Sequence, residues 1–288
     1  AAWQYVGFIN SSSRAVYGTD ETPHLGQYQS IITNPDLHWE KRNQFDVGAD
    51  ITLLNNSLDL TLDWYNSTSN DVLLVVPLPD YLGSSGSPFV NTGSIRNTGI
   101  EFSAAYHNHA HEIKWDLSGN FTTIKNRVLS VGKKGTDANG NKVNYLQPAN
   151  FVRSQVGHPM ASWYVIETDG IFQSTDEVNN YKNSEGKIIQ PNAKPGDIRY
   201  VDLNDDGQIN DDDRSFHGSP WPTLQAGLQF NASYHNFSLN MQWVGIFGNQ
   251  IYDDVRRPLD SYQLVNFRSD INPWTPENTN TKDPRLAI

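Results

Sequence analysis

The sequence predicts an all-β fold: part of a large antiparallel transmembrane β-barrel with long extracellular loops. Six runs alternate apolar and polar residues with a period of two, as strands do when their faces meet different surroundings. The runs form three pairs joined by very short turns, and the segments between pairs are long. Each run is about 9–12 residues, close to what a tilted strand needs to cross hydrocarbon.

The first hairpin covers about 44–66. Phe45, Val47, Ala49, Ile51 and Leu53 share one face, with Gln44, Asp46, Gly48, Asp50 and Thr52 behind. Asn55 and Asn56, which tolerate positive φ, form a two-residue turn. Leu58, Leu60, Leu62 and Trp64 then alternate with Asp59, Thr61, Asp63 and Tyr65. The second hairpin, about 95–126, sets Ile100, Phe102, Ala104 and Tyr106 against Glu101, Ser103, Ala105 and His107. It returns with Ile113, Trp115, Leu117, Gly119 and Phe121. The third, about 223–246, carries Leu224, Ala226, Leu228, Phe230, Ala232 and Tyr234, turns at His235 and Asn236, and returns with Phe237, Leu239, Met241 and Trp243.

Loops are expected over about 1–43, 67–94, 127–222 and 247–288. Short turns on one side and long loops on the other are the asymmetry of outer-membrane barrels. Trp64, Tyr106, Phe121, Tyr234 and Trp243 are placed near strand ends as an interfacial girdle. The opposite face is acid, amide and hydroxyl, which suits an aqueous interior. The competing fold is a soluble sandwich, whose strands also alternate but whose loops rarely grow so long. Six strands cannot close a transmembrane barrel, since the smallest have about eight, so the missing strands are expected outside this sequence.

Composition narrows the function classes. The net charge of -11 and pI near 5 argue against a nucleic-acid partner, which needs a basic surface. Cysteine is absent, which removes disulfide scaffolds, thiolate metal sites and cysteine nucleophiles. The chain lacks any apolar run long enough for a membrane helix, and its opening AAWQYVGFIN lacks the basic start and apolar core of a signal peptide. GxSxG, HExxH, P-loop and Rossmann glycine patterns are missing, so no enzyme is expected.

The sharpest chemical signal is DLNDDGQINDDD, residues 202–213. Asp202, Asn204 and Asp206 occupy positions 1, 3 and 5 of an EF-hand-like loop, with Gly207 at the turn. Gln208 offers its backbone carbonyl at 7, Asn210 falls at 9 and Asp213 closes at 12. The flanks are not helical, so Ca2+ here would be a structural clip on a long loop; the bland reading is an Asx-rich turn without metal. His107, His109 and His111 span a turn and need not converge. Tyr81, Phe89, Trp163, Tyr164, Phe172, Trp221 and Tyr252 could stack on a substrate or pack the loops together, and no single substrate-binding residue can be named.

Four stretches resemble the SusC/RagA family in that family's order: NPDLHWEKRNQFDVGAD (34–50), GSIRNTGIEF (93–102), WYVIETDGIF (163–172) and KPGDIRYVDLNDDGQINDDDRSFHGSPWP (194–222). The resemblance implies a TonB-linked transporter in a Bacteroidetes-type outer membrane, importing oligosaccharides or peptides. It implies a 22-stranded barrel around an N-terminal plug, a SusD-like surface lipoprotein as lid, and a dimer of transporter–lipoprotein pairs as one possible assembly. This chain would be a C-terminal barrel portion within the lipid bilayer, lacking the plug, the TonB box and the last strands. The short turns would face the periplasm. The rival functions are a secreted, calcium-stabilised carbohydrate-binding sandwich and a glycoside hydrolase fragment. Both require Leu58, Leu60 and Leu62 in a protein core.

Overall fold

A computed structural model describes residues 9–16, 19, 22–29, 33–75, 88–108, 110–132, 144–149, 151–259 and 269–286. In chain order the strands are β1 Ile9–Val16, β2 Pro23–Gln29, β3 Lys41–Leu53, β4 Leu58–Val75, β5 Phe89–Asn108, β6 Lys114–Thr123 and β7 Lys125–Ser130. Then come β8 Tyr145–Ala149, β9 Val152–Gln155, β10 Ser162–Ile166, β11 Thr168–Ile171, helix α1 Thr175–Asn180, β12 Ile198–Tyr200 and β13 Arg214–Phe216. Strands β14 Leu224–Tyr234 and β15 Phe237–Phe247 and the short helix α2 Arg256–Leu259 complete the series. The chain divides into two compact units. The first comprises Ala1–Leu146, Ser154–Met160 and Trp221–Gly248; the second comprises Gln147–Arg153, Ala161–Pro220 and Asn249–Ile288.

The first unit holds the two-stranded β1-β2 sheet and an antiparallel sheet in the order β15-β14-β6-β5-β4-β3, with β7 continuing the line of β6 along β5. The larger sheet's register aligns the apolar positions of its six ordered strands. Leu53, Leu58, Tyr106, Leu117, Phe230 and Met241 form one cross-strand row. Ile51, Leu60, Ala104, Gly119, Leu228 and Trp243 form the next, then Ala49, Leu62, Phe102, Phe121, Ala226 and Gly245. A slip of one residue in any pair would turn that strand's apolar set to the other face. On β14 and β15 the apolar stretch runs on to Tyr234 and Phe237, past the row where β3 and β4 turn. A band that slides along successive strands is what strand tilt imposes in a level bilayer.

Among the described residues, none seals this apolar face. Leu62 is 51% exposed, Leu228 45%, Trp243 49% and Val47 56%. A sandwich would bury these residues between two sheets at a gain of roughly 1.5–3 kcal/mol each, so the sandwich alternative fails on the position of its own core. Among the described residues the buried hydrophobics are Val128, Val131, Phe172, Val178, Ile189 and Trp274, none of them from those rows.

Three expectations change. β4 and β5 run to 18 and 20 residues and replace much of the loop expected over 67–94 with paired sheet. Period-two alternation fades in STSNDVLLVV because, beyond hydrocarbon, neither face has to be apolar; hydrogen bonding continues regardless. The bulge there is marked by Asp71 at φ 58. The first turn has four residues, 54–57, because Leu53 pairs with Leu58; Leu54, Asn55 and Asn56 are all left-handed. The turn at His235 and Asn236 has two residues as expected. Tyr106 and Tyr234 lie near the short turns and Trp64 toward the far end, but Trp243 lies in mid-band opposite Leu228.

The second unit occupies segments expected as loops and has its own core of Phe172, Val178, Ile189 and Trp274. β10 pairs with β13 and β9, and β11 pairs with β12. Ser174 caps α1 by accepting from the Glu177 amide at 3.2 Å. Gly196 is left-handed, and a Cβ there would meet Trp274 at 2.6 Å and Arg285 at 2.7 Å, so only glycine lets the C-terminal segment close over this core.

Candidate functional site

The polar face of the sheet is the surface that would line a barrel interior. Asp63 and Glu101 are direct cross-strand partners, with Gly48 across from Asp63 on its other side. Beside them a hollow of about 400 Å3 is lined by Arg42, Gln44, Asp46, Asp63, Tyr65, Asn97, Glu101, Ile124 and Trp221. Arg42 Nε donates to Ser67 Oγ at 2.7 Å, and Tyr65 donates to the Thr123 carbonyl at 3.2 Å. Asn126 donates to Asn97 at 2.7 Å while its own carbonyl accepts from the Met160 amide. Toward the short turns, His107 Nδ1 lies 2.6 Å from Asp116 and its Nε2 lies 3.9 Å from Asp59. Hydroxyls, amides and carboxylates alternate with small residues here, as suits a wall for polar solutes.

Of the turn histidines, His107 joins this network, His111 is exposed and His109 lies outside the described residues. Among the described residues no three histidine or carboxylate side chains converge as a metal set.

In the 202–213 loop, the carboxylates meet backbone amides. Asp202 accepts from Asp206 at 3.2 Å and Gly207 at 2.7 Å, and Asn204 Oδ1 accepts from Asp206 at 3.1 Å. Asp206 accepts from the Gln208 amide at 2.8 Å and from the side chains of Asn204 and Asn210 at 3.2 and 3.4 Å. These bonds bring the arms at positions 1, 3, 5 and 9 to one side of the loop, with Gly207 at φ +72 making the turn. The side chains at those positions carry hard oxygens of the kind Ca2+ takes. In this geometry, however, the amide nitrogens of Asn204 and Asn210 face Asp206, and the Asn210 oxygen accepts from the Asp212 amide at 2.7 Å. Asp213 fits less well: it is 1% exposed, and its oxygens accept from the amides of Leu203 and Asn210 at 2.9 and 2.7 Å. As expected, the flanks are not helical: they are the short strands β12 and β13, inside a segment expected as loop, and Asp211–Asp213 is one 3-10 turn. Hydrogen bonds from Asn183 and Lys187 to the carbonyls of Asp205 and Asp206 tie the loop down.

The aromatics singled out in the sequence separate by role. Phe172 is fully buried core. Trp221 donates to the Met160 carbonyl at 2.9 Å. Trp163 stacks in a ladder with Phe151 and Tyr252, centroids 4.5–6.3 Å apart, and its indole donates to the Gln250 carbonyl. Arg153 lies over Tyr164 at 3.6 Å, and Tyr164 packs on Phe216. Phe89 opens β5, and Tyr81 lies outside the described residues. Sequence reasoning missed the C-terminal segment: Trp274 donates to Gln173 at 2.8 Å, and Arg285 pairs with Asp197 at 2.6 Å. A tryptophan between two prolines in a polar stretch, NPWTPEN, was the available signal.

Comparison with known proteins agrees with this geometry. Residues 4–242 match the family model for TonB dependent receptor-like β-barrels. TonB-dependent receptor P3 of Formosa agariphila is 28% identical over 96% of this chain and 29% of that receptor. SusC of Bacteroides thetaiotaomicron is 26% identical over 77% of this chain and 21% of its own length. A solved structure of the RagAB peptide transporter superposes with a TM-score of 0.72 at 25% identity, covering 98% of this chain and 29% of that one. The chain therefore spans less than a third of the receptors it matches.

Proposed function

The chain belongs to the TonB-dependent receptor-like β-barrel family of the outer membrane, and on that premise we propose that the whole protein imports oligosaccharides or peptides. The observation that carries this reading is the sheet itself: six strands with an unsealed apolar face on one side and an acid-and-amide face on the other. The relatives are named as receptors and transporters, and one similar structure is titled a peptide transporter. The likeness to SusC and RagAB supports a SusD-like lipoprotein as lid and energy coupling through TonB at a plug outside this chain. The test is uptake of labelled oligosaccharides and peptides by cells with and without the gene. Loss of uptake in either class upholds import, and unchanged uptake of both overturns it.

The same reading includes a structural Ca2+ in the 202–213 loop, held by Asp202, Asn204, Asp206 and the carbonyl of Gln208. Support comes from the convergence of these arms and from the cost of ordering a long loop, which a bound cation offsets in part. Asp213 would have to exchange an amide for the ion to complete the set.

A further inference from the structure

We propose that Arg96, Lys125 and Arg127 form a binding site for the phosphate groups of a membrane lipid, set where the sheet's apolar side meets the headgroups. The register of β5 with β4 is unbroken from Ser94 to Tyr106, so Arg96 and Thr98 share a face with Ile100, Phe102 and Tyr106. On the other side of β5, Arg96 is paired with Arg127 and Thr98 with Lys125. Cross-strand partners share a face, so all three cations project from the apolar side, directly beyond its last rows.

Two guanidinium groups directly opposite each other repel. Among the described residues no carboxylate pairs with either of them or with Lys125, and all three side chains are exposed. Arg127 Nε is held by the Gly157 carbonyl at 3.2 Å, and the residue is exposed. An anion bridging the pair would turn the repulsion into two charge-assisted contacts, and phosphate matches the guanidinium fork.

Depth identifies the anion as a lipid phosphate. Ten residues separate Arg96 from Tyr106 on β5, about 33 Å along the strand. At the usual barrel tilt this is about 25 Å along the membrane normal, the height of a barrel's apolar band. With Tyr106 at one interface, Arg96 stands in the headgroups of the other. The proposal rests on the membrane reading above and on the short turns facing the periplasm, which makes this the outer leaflet.

The test uses the full-length receptor in dodecyl maltoside, with bisphosphorylated lipid A, the same lipid dephosphorylated, and inorganic phosphate as probes. Bound lipid is read by native mass spectrometry. The intact receptor should retain the bisphosphorylated lipid about tenfold better than the dephosphorylated one. R96Q/R127Q should lose that preference, while R96K/R127K, which keeps charge without the fork, should fall between. Heat-modifiable migration checks that each variant is folded, and the single R96Q substitution should show a partial loss if the double variant is not. Equal retention by R96Q/R127Q overturns the proposal, as does equal retention of the dephosphorylated lipid or occupancy of the site by inorganic phosphate alone. A receptor that holds the phosphorylated lipid but moves no substrate in cells supports this site while overturning the import reading.

Discussion

The ring of Tyr65 lies across Gly99, its cross-strand partner, and its hydroxyl donates to the Thr123 carbonyl at 3.2 Å. A Cβ at residue 99 would sit 1.9 Å from that carbonyl oxygen and 2.7 Å from the Tyr65 hydroxyl. Backbone cannot yield as a side chain can, so β4, β5 and the end of β6 are locked together at this point. Gly99→Ala should therefore destabilise the folded receptor by about 1–3 kcal/mol through overpacking. Tyr65→Phe, which removes only the hydrogen bond, should cost about 1 kcal/mol. Urea unfolding in vesicles, followed by tryptophan fluorescence, ranks the two; a harmless Gly99→Ala would contradict the packing described.

Leu62 and Ser103 belong to opposite faces of the same sheet. Arginine at Leu62 should cost about 2–4 kcal/mol near the bilayer midplane. Lysine at Ser103 should change stability by less than about 1 kcal/mol. The reverse ranking, from the same unfolding assay, would place the leucine rows against protein and water.

Trp274 is 8% exposed and its indole donates to Gln173. Trp274→Ala removes a large core side chain and strands a polar partner, a loss of about 3–5 kcal/mol within the second unit. Faster proteolytic cleavage between residues 161 and 220 of the full-length receptor is the expected readout. The migration of the barrel on gels should stay as it was.

Burial lowers the pKa of His158 below its ordinary 6.5, and the positive charge of Arg127 lowers it further. The folded state thus binds its proton less readily than the unfolded chain. The associated stability is fully present above the ordinary value and is lost as pH falls through the lowered one. Arg127→Gln should raise the His158 pKa toward 6.5. Diethyl pyrocarbonate modification against pH reads this directly, and an unchanged midpoint would remove Arg127 as a cause.

If Ca2+ occupies the 202–213 loop, unfolding of the receptor should shift upward when calcium replaces a chelator. Saturation at a hundred times Kd corresponds to about 2.7 kcal/mol. The combined substitutions Asp202→Ala and Asp206→Ala should abolish the shift. Identical unfolding curves with calcium and with EDTA would leave the loop as an Asx-rich turn held by its own amides.

The six transmembrane strands were legible because lipid on one side and water on the other force strict alternation, from Phe45 to Leu53 and from Leu224 to Tyr234. The resemblance carried by four motifs was legible for a similar reason: turn glycines and spaced carboxylates leave local marks. The far ends of β4 and β5 left none, since both of their faces meet polar surroundings. The loop core was equally silent. Phe172, Val178, Ile189 and Trp274 come from separate segments without periodicity, so no local pattern announces that they meet.

By itself, then, the sequence determined which side of each ribbon is greasy, where the short turns fall and which residues could take a hard cation. Those properties depend on nearest neighbours along the chain and on a period of two. Tertiary structure alone decided that Arg96 faces Arg127, that Tyr65 covers Gly99 and that Trp274 closes over Gly196. Each of these joins positions far apart in the chain, and only the register of paired strands and the packing of distant segments bring such positions together.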